Sequence, residues 1–91
     1  MAVTVKFPPQ LRPSTGGRSA VTTSGATVGE VLEGVFAEHG ELRDRIAGED
    51  GQVRRFVNVY LDGEDVRFLD GLATPVRDGA EVQVLPAVAG G

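Results

Sequence analysis

Apolar and polar residues alternate along the first segment of the chain, residues 2–7, and this period of two predicts a strand with one buried side. The proline pair at 8–9 ends that strand, because proline lacks the amide hydrogen that a sheet ladder needs. The segment 11–17 is rich in turn residues, and residues 18–23 (RSAVTT) are expected to return as a second strand. The N-terminal part of the chain is therefore predicted to be a hairpin with a long loop.

The spacing of apolar residues changes to that of an amphipathic helix over residues 27–39. These apolar positions recur at intervals of three and four residues, which places them on one stripe: Val28, Val31, Leu32, Val35 and Phe36. Thr27 can cap the N-terminus of the helix, and Glu30 three residues later completes a capping-box pattern. Gly40 is predicted to cap the C-terminus.

The helix and the segment after it carry two further signals. Gly29 and Gly34 each weaken a helix by about 1 kcal/mol relative to alanine, so their presence suggests that the helix packs closely on the sheet. Residues 41–47 are predicted to form another short helical turn with Leu42 and Ile46 inward.

The clearest strand pattern of the chain covers residues 53–62 (VRRFVNVYLD). Val57, Val59 and Leu61 share one face of this predicted strand. The Asp-Gly pair at 62–63 is a strong turn signal and ends the strand.

The remaining segments are short. Residues 66–69 (VRFL) are predicted to form a short strand, residues 70–76 a loop across one end of the sheet, and residues 80–85 the last strand. In that last strand, Val82 and Val84 face inward.

This order of strand, strand, helix, strand, short strand, strand predicts a two-layer α+β domain, because one amphipathic helix covers one face of one sheet. Burying each inward Val, Leu or Phe contributes about 1.5–3 kcal/mol, which suffices for a core. The other face of the sheet has no helix left to cover it. Its expected members are Thr4, Lys6, Phe56, Asn58, Tyr60, Gln83 and Leu85. Three of them, Phe56, Tyr60 and Leu85, are apolar enough to be candidates for a partner-facing surface.

Composition narrows the classes of function. The net charge is −4, with four Phe, one Tyr and no Trp, so the chain lacks the basic surface and stacking residues of nucleic-acid binding. The absence of cysteine excludes disulfides, thiolate metal sites and cysteine nucleophiles. The sequence has neither an apolar run long enough for a membrane span nor a signal-peptide pattern, so a cytoplasmic protein is expected.

Three features resemble catalytic or ligand-binding motifs, and each lacks part of its pattern. Residues 14–17 (STGG) do not have the lysine of a phosphate-binding loop. His39 is the single histidine and is expected to complement the dipole at the C-terminus of the helix. Asp62, Glu64 and Asp65 lack the spacing of a calcium-binding EF-hand. The sequence therefore predicts no catalytic residue, no metal site and no enzyme.

The end of the chain, residues 85–91 (LPAVAGG), differs from the strands before it. Pro86 favours leaving the sheet, small residues follow, and the last two residues are glycines. We expect residues 1–85 to be the domain and residues 86–91 to be a flexible tail that ends in the Gly91 carboxylate. At about 3.3–3.6 Å per residue, five residues reach roughly 17 Å into a partner's channel. The residues expected to thread are Ala87, Val88, Ala89, Gly90 and Gly91.

Five ordered segments resemble one family along essentially the whole chain. They are LRPSTGG at 11–17, RFVNVYLDGEDVRF at 55–68, GLAT at 71–74, DG at 78–79 and LPAVAGG at 85–91. The chain resembles the ubiquitin-like sulfur carriers of the MoaD/ThiS family and, within it, the CysO-type carriers of cysteine biosynthesis. This resemblance implies a β-grasp fold, in which the first and last strands are parallel and adjacent and one main helix packs on a mixed sheet.

The resemblance also implies a reaction at the Gly91 carboxylate. An activating enzyme of the ubiquitin-activating type adenylates this carboxylate with ATP, and sulfide then displaces AMP to leave a thiocarboxylate. In CysO-type carriers the sulfur passes to an aminoacrylate made from O-phosphoserine on a PLP-dependent cysteine synthase. A zinc metalloprotease then releases cysteine. ATP, PLP and zinc therefore belong to partner enzymes, and the carrier is expected to bind no cofactor.

Two other functions are compatible with the same tail. A molybdopterin synthase small subunit would deliver sulfur to a pterin precursor, and LRPSTGG and EDVRF favour the cysteine carrier over it. A ubiquitin-like modifier would be joined through Gly91 to lysines of target proteins. The single lysine, Lys6, argues only against extensive chains built on the protein itself.

Overall fold

The computed structural model describes residues 2–48, 53–54 and 57–86. Five strands and two α-helices follow one another in the predicted order. The strands are β1 (Ala2–Lys6), β2 (Ala20–Ser24), β3 (Val57–Leu61), β4 (Glu64–Asp65) and β5 (Glu81–Pro86), and the helices are α1 (Val28–Glu38) and α2 (Glu41–Ile46).

The strands form one mixed sheet in the order β2-β1-β5-β3-β4. The first and last strands lie side by side and parallel, with Val5 opposite Val82. The other pairs are antiparallel, including the predicted hairpin of β1 and β2. The implied β-grasp topology is thus confirmed, and it places β5 at the centre of the sheet.

The core lies between one face of this sheet and the helices. The whole predicted stripe of α1 is buried, and so are the inward side chains of the strands apart from Leu61, which is half-buried and packs against the core. The predicted Leu42 and Ile46 of α2 are also fully buried. The two-layer arrangement follows from this match between one helical stripe and one sheet face.

The N-terminus of α1 has the capping arrangement that the sequence predicts. The Thr27 hydroxyl accepts a hydrogen bond of 3.2 Å from the Glu30 amide. The Glu30 carboxylate accepts a bond of 3.1 Å from the amide of Ala26, one residue before the cap. The first bond satisfies a backbone donor that the first helical turn leaves without an intrahelical partner, and the second holds the residue that precedes the cap.

Gly40 does not end α1 in the predicted way. The capping position is His39, whose amide donates to the Val35 carbonyl at 2.8 Å. Gly40 has right-handed helical angles, with φ of −57°, and is the N-cap of α2. The chain continues into a second helix instead of reversing, so the left-handed conformation for which glycine is favoured is not needed.

The strand predicted over residues 53–62 is shorter in the structure, where β3 begins at Val57. Before it, Val53 forms only an isolated bridge with Ala47. The Arg54 amide donates to the Ile46 carbonyl at 2.8 Å, and the Arg54 Nε donates to the Asp44 carbonyl at 2.7 Å. Bonds to α2 therefore replace the sheet ladder for residues 53–54.

The short strand predicted over residues 66–69 is wrong. The extended part is β4, and a 3₁₀ turn follows at Val66–Phe68. The Asp65 carboxylate accepts a hydrogen bond of 2.9 Å from the Arg67 amide and so caps this turn. Local capping by one aspartate prevails over the strand propensity of three apolar residues.

The loop between β1 and β2 is also ordered around one side chain. It contains a 3₁₀ segment, Pro9–Thr15, that ends at Gly16 with φ of 70°. Thr15 is 1% exposed, and its hydroxyl lies 2.9 Å from the Arg12 carbonyl and 2.7 Å from the Arg18 carbonyl. The turn-rich segment 11–17 is therefore an ordered part of the loop that connects β1 to β2, held together by the Thr15 hydroxyl.

Candidate functional site at the end of the last strand

The last strand continues one residue further than predicted, because Pro86 pairs with Val57 of β3. The hydrogen bond from the Asp62 amide to the Glu81 carbonyl, at 2.8 Å, fixes the alternation of the antiparallel ladder. In such a ladder, hydrogen-bonded and non-hydrogen-bonded pairs alternate, and the pair of Val57 and Pro86 is of the second kind. The backbone nitrogen of Pro86 therefore faces away from β3, toward the side of β1, whose pairing with β5 ends at Gln83. Proline costs no ladder hydrogen bond there, so the expectation that it leaves the sheet is wrong.

The predicted reactive segment begins directly after this pair. Residues 87–91, including Gly90 and Gly91, lie outside the described residues, and so does Phe56 of the predicted surface. The structure does describe the base from which the segment starts. That base is the end of β5, which is paired with β3 as far as Pro86, whereas the pairing of β5 with β1 covers residues 81–83.

The sheet face opposite the helices contains the other two predicted surface residues. Leu85 pairs with Asn58, and Tyr60 pairs with Gln83, so Leu85 and Tyr60 are diagonal neighbours on β5 and β3. Both side chains are half-buried. The structure therefore brings Tyr60 and Leu85 together on one surface.

On β1 and β2 this open face carries polar side chains and two alanines, Ala2 and Ala20. The Lys6 ammonium lies 3.3 Å from the Glu81 carboxylate, and both side chains are about half exposed. Thr4 and Thr22 pair beside them on β1 and β2. The large apolar side chains described on this face, Tyr60 and Leu85, thus lie on β3 and β5, and β5 is the strand that precedes the tail.

A second feature lies at the edge of the sheet and was missed by pattern analysis. In the turn after β4, Phe68 is 87% exposed and Leu69 is 39% exposed, and they are the large exposed apolar side chains of the described chain. An open cleft of about 160 Å³ beside them is lined by Val53, Val59, Val66, Arg67, Gly71 and Leu72. The strand predicted over residues 66–69 gives no reason to expect an exposed Phe68. The sequence signal for the turn that exposes it is Asp65, a residue type that caps turns.

Arg67 connects this edge to the start of the tail. Its Nη2 donates a hydrogen bond of 2.7 Å to the Val57 carbonyl. Val57 is the residue that pairs with Pro86. The edge turn, the first residue of β3 and the last residue of β5 are therefore consecutive in space.

The acidic residues at the other end of the sheet have structural roles. The Asp62 carboxylate accepts a hydrogen bond from the Glu81 amide at 3.0 Å and lies 3.5 Å from the Arg77 guanidinium. The Asp78 carboxylate accepts from the Ala2 amide at 2.8 Å. Among the residues that the structure describes, no group of three His, Cys, Asp or Glu side chains is placed to hold a metal ion.

The clearest electrostatic perturbation lies on the helical side. Two hydrogen bonds from the Arg43 guanidinium, of 2.8 and 3.1 Å, lower the pKa of the Glu33 carboxyl, and Glu33 in turn raises the pKa of Arg43. The Arg43 guanidinium also lies 5.0 Å from the centre of the Phe36 ring. The Glu33–Arg43 pair links α2 to α1 and lies away from the sheet surfaces described above.

The strand order and the helix packing are those of a ubiquitin-like β-grasp domain. A family model described as the ThiS family matches residues 5–91. The chain therefore belongs to the ThiS family of ubiquitin-like sulfur carriers.

Individual relatives agree with this assignment. The sulfur carrier protein CysO of Mycobacterium tuberculosis is 47% identical over 93 residues, which cover all of both chains. A chain in the crystal structure of the Amycolatopsis orientalis BexX/CysO complex superposes with a TM-score of 0.90 at 46% identity, and the match covers 98% of this chain and 99% of that one. Small archaeal modifier protein 3 of Haloferax volcanii is 50% identical over 66 residues, 72% of this chain and 71% of its own length.

None of the helices within the described ranges has the length and apolar character needed to cross a membrane.

Proposed function

We propose that this protein is a sulfur carrier for cysteine biosynthesis that bears a thiocarboxylate on Gly91. The observation that carries this proposal is the 47% identity to the sulfur carrier protein CysO over the whole length of both chains. The carrier is a substrate of other enzymes and performs no catalysis itself.

The chemistry of the tail requires activation before sulfur can be loaded. An α-carboxylate has a pKa of about 3.3–3.7, so the Gly91 carboxylate is ionised at neutral pH and is a poor electrophile. The activating enzyme transfers the adenylyl group of ATP to this carboxylate and pyrophosphate leaves. Sulfide then attacks the carbonyl carbon, AMP leaves, and the thiocarboxylate remains on Gly91. Because the chain has no cysteine, no internal thiol competes with sulfide for the acyl-adenylate.

The fold supports this role by holding the base of the tail. β5 is paired with β1 at residues 81–83 and with β3 at residues 82–86, so β3 supports the strand up to the start of the tail. At about 3.3–3.6 Å per residue, residues 87–91 extend roughly 17 Å from this base, enough for Gly91 to enter an active site while the domain stays outside. A partner that receives the tail would meet the open face at Tyr60 and Leu85.

We further propose that the loaded sulfur passes to an aminoacrylate made from O-phosphoserine on a PLP-dependent cysteine synthase, in the cytoplasm. A zinc metalloprotease then releases cysteine from the adduct. These partners supply ATP, PLP and zinc chemistry, and the carrier supplies only the thiocarboxylate.

Intact-mass measurement of the protein from its native cells tests the carrier role. A population shifted by one oxygen-to-sulfur exchange supports the proposal, and its absence under conditions of active cysteine synthesis contradicts it. Mixing the thiocarboxylated protein with O-phosphoserine and its PLP enzyme then tests the pathway. A cysteinyl adduct supports cysteine synthesis, whereas sulfur transfer only to a pterin precursor would assign the protein to molybdopterin synthesis.

The likeness to small archaeal modifier protein 3, 50% identical over 66 residues, favours protein modification as a second candidate function. In that role the adenylated Gly91 would form an isopeptide bond with a lysine amine of a target protein, and AMP would leave. Recovery of tryptic peptides in which a target lysine carries residues 78–91 of this chain, joined through Gly91, tests this function, because Arg77 is the last trypsin site before the C-terminus. Their absence would leave sulfur transfer alone.

A further inference from the structure

The apolar side chain of Phe68 is presented to solvent by a hydrogen-bonded turn. Phe68 is 87% exposed, although burying a phenylalanine is among the larger apolar contributions to stability. The Asp65 carboxylate caps the turn before it through the Arg67 amide, at 2.9 Å. After it, the Thr74 hydroxyl accepts from the Asp70 amide at 3.0 Å and lies 2.7 Å from the Gly71 carbonyl. Side-chain hydrogen bonds on both flanks thus fix the direction in which Phe68 projects.

The position of this turn relates it to the tail. Arg67, the neighbour of Phe68, is bonded to the Val57 carbonyl, and Val57 pairs with Pro86, the last described residue. An enzyme that takes in residues 87–91 must approach the end of β5. Its surface would then pass over the start of β3 and reach the turn at the sheet edge.

We propose that Phe68 is an anchor for the enzyme that activates the Gly91 carboxylate. It inserts into an apolar pocket that lies beside the mouth of the channel receiving the tail. Leu69, 39% exposed, borders the contact, and the docking surface continues from the open face of the sheet around β3 to the turn Val66–Phe68. This inference rests on the proposed activation of Gly91 by adenylation.

The experiment measures ATP–pyrophosphate exchange by the activating enzyme as a function of carrier concentration. For Phe68→Ala we expect KM to rise about tenfold with kcat unchanged, because the lost burial lies away from the reacting carboxylate. Phe68→Leu, which keeps most of the apolar volume, is expected to restore most of the affinity. Arg77→Ala at the opposite end of the sheet, whose side chain is 71% exposed, is the matched control and should leave KM unchanged.

The possible outcomes separate this inference from the proposed function. If the wild-type chain supports no exchange, the proposed activation of Gly91 fails. If the wild-type chain supports exchange and Phe68→Ala has the same KM, the anchor is overturned. Sedimentation of the free carrier tests whether a second copy of the chain covers Phe68 instead. A wild-type dimer that Phe68→Ala converts to a monomer would assign this surface to self-association and also overturn the proposal. An unchanged thermal midpoint of Phe68→Ala shows that the rise in KM comes from weaker docking and not from a destabilised fold.

Discussion

The backbone of Gly34 in α1 lies directly against the Thr23 hydroxyl of β2. A Cβ atom on Gly34 would overlap the Thr23 oxygen, whereas the next nearest atoms, the Ser24 carbonyl oxygen and the Thr23 Cβ, would be 3.6 Å away. The close approach of α1 and β2 at this point therefore requires that residue 34 has no Cβ atom as long as residue 23 carries its hydroxyl oxygen.

This contact predicts a reversal of sign in a double-mutant cycle. Gly34→Ala alone should destabilise the protein by about 1–3 kcal/mol, because overpacking outweighs the gain in helix propensity. In a Thr23→Ala background the same change should be neutral or stabilising by up to about 1 kcal/mol, since only the helix propensity remains. Urea unfolding of the four proteins measures both effects. Equal effects of Gly34→Ala in the two backgrounds would contradict this account.

Thr15 should contribute to stability through its buried hydroxyl. Thr15→Val keeps the shape but leaves the Arg18 carbonyl without the 2.7 Å hydrogen bond, which is expected to cost about 1–3 kcal/mol. The Arg12 carbonyl still accepts from the Gly17 amide at 2.8 Å. Thr15→Ser, which keeps the hydroxyl, is the control and should lose less. A loss of thermal stability in Thr15→Ser without a loss in Thr15→Val would assign the role of Thr15 to its methyl group instead.

The spacing of apolar residues within each helix or strand predicts most of the fold, because the buried face of a helix repeats about every 3.6 residues and that of a strand every two. The α1 stripe and the Thr27 cap are local properties, and the structure confirms both. The errors arose where a distant partner decides the local structure. Arg54 bonds to α2 and shortens β3, while Pro86 stays in the sheet because β1 ends before it. Neither relationship can be read from the segment itself.

The candidate site was predicted less completely, for the same reason. Tyr60 and Leu85 were assigned to one face by alternation alone, and the register places them as diagonal neighbours. Phe68 was missed, because an apolar residue between apolar neighbours predicts burial unless the turn that exposes it is known. Sequence patterns indicate which residues are able to be buried, and only the fold shows which of them is left exposed.

The Glu33–Arg43 pair predicts a small acid-dependent contribution to stability. Hydrogen bonds from Arg43 lower the pKa of Glu33 below its ordinary value of 4.5, so the contribution is fully present above 4.5 and is lost as the pH falls through the lowered pKa. Glu33→Gln should therefore be slightly less stable than the wild type near neutral pH, with a difference that disappears in acid. The difference should also shrink with added salt, because the pair is exposed. A difference that is the same at every pH would rule out this linkage.

The open face of the sheet should contribute to partner affinity through Tyr60. Tyr60→Ala is expected to weaken binding of the tail-receiving enzymes by about tenfold, because a ring of this size supplies most of its contact energy through buried area. Thr22→Ala, on the β2 side of the same face, is the matched control and should have little effect. Titration calorimetry with the activating enzyme and the cysteine synthase measures the affinities. Unchanged affinity of Tyr60→Ala for both enzymes would remove the open face from the docking surface.

The tail should tolerate no bulk next to its reactive end. Gly90→Val is expected to block sulfur loading, because a β-branched side chain restricts the backbone and obstructs a channel that fits two glycines. The thermal midpoint should stay unchanged, since residue 90 lies beyond the last strand. Ala87→Val places the same side chain three residues further from Gly91 and should be loaded at a rate closer to that of the wild type. Intact mass after incubation with the activating enzyme, ATP and sulfide measures loading, and normal loading of Gly90→Val would refute the threading of the tail.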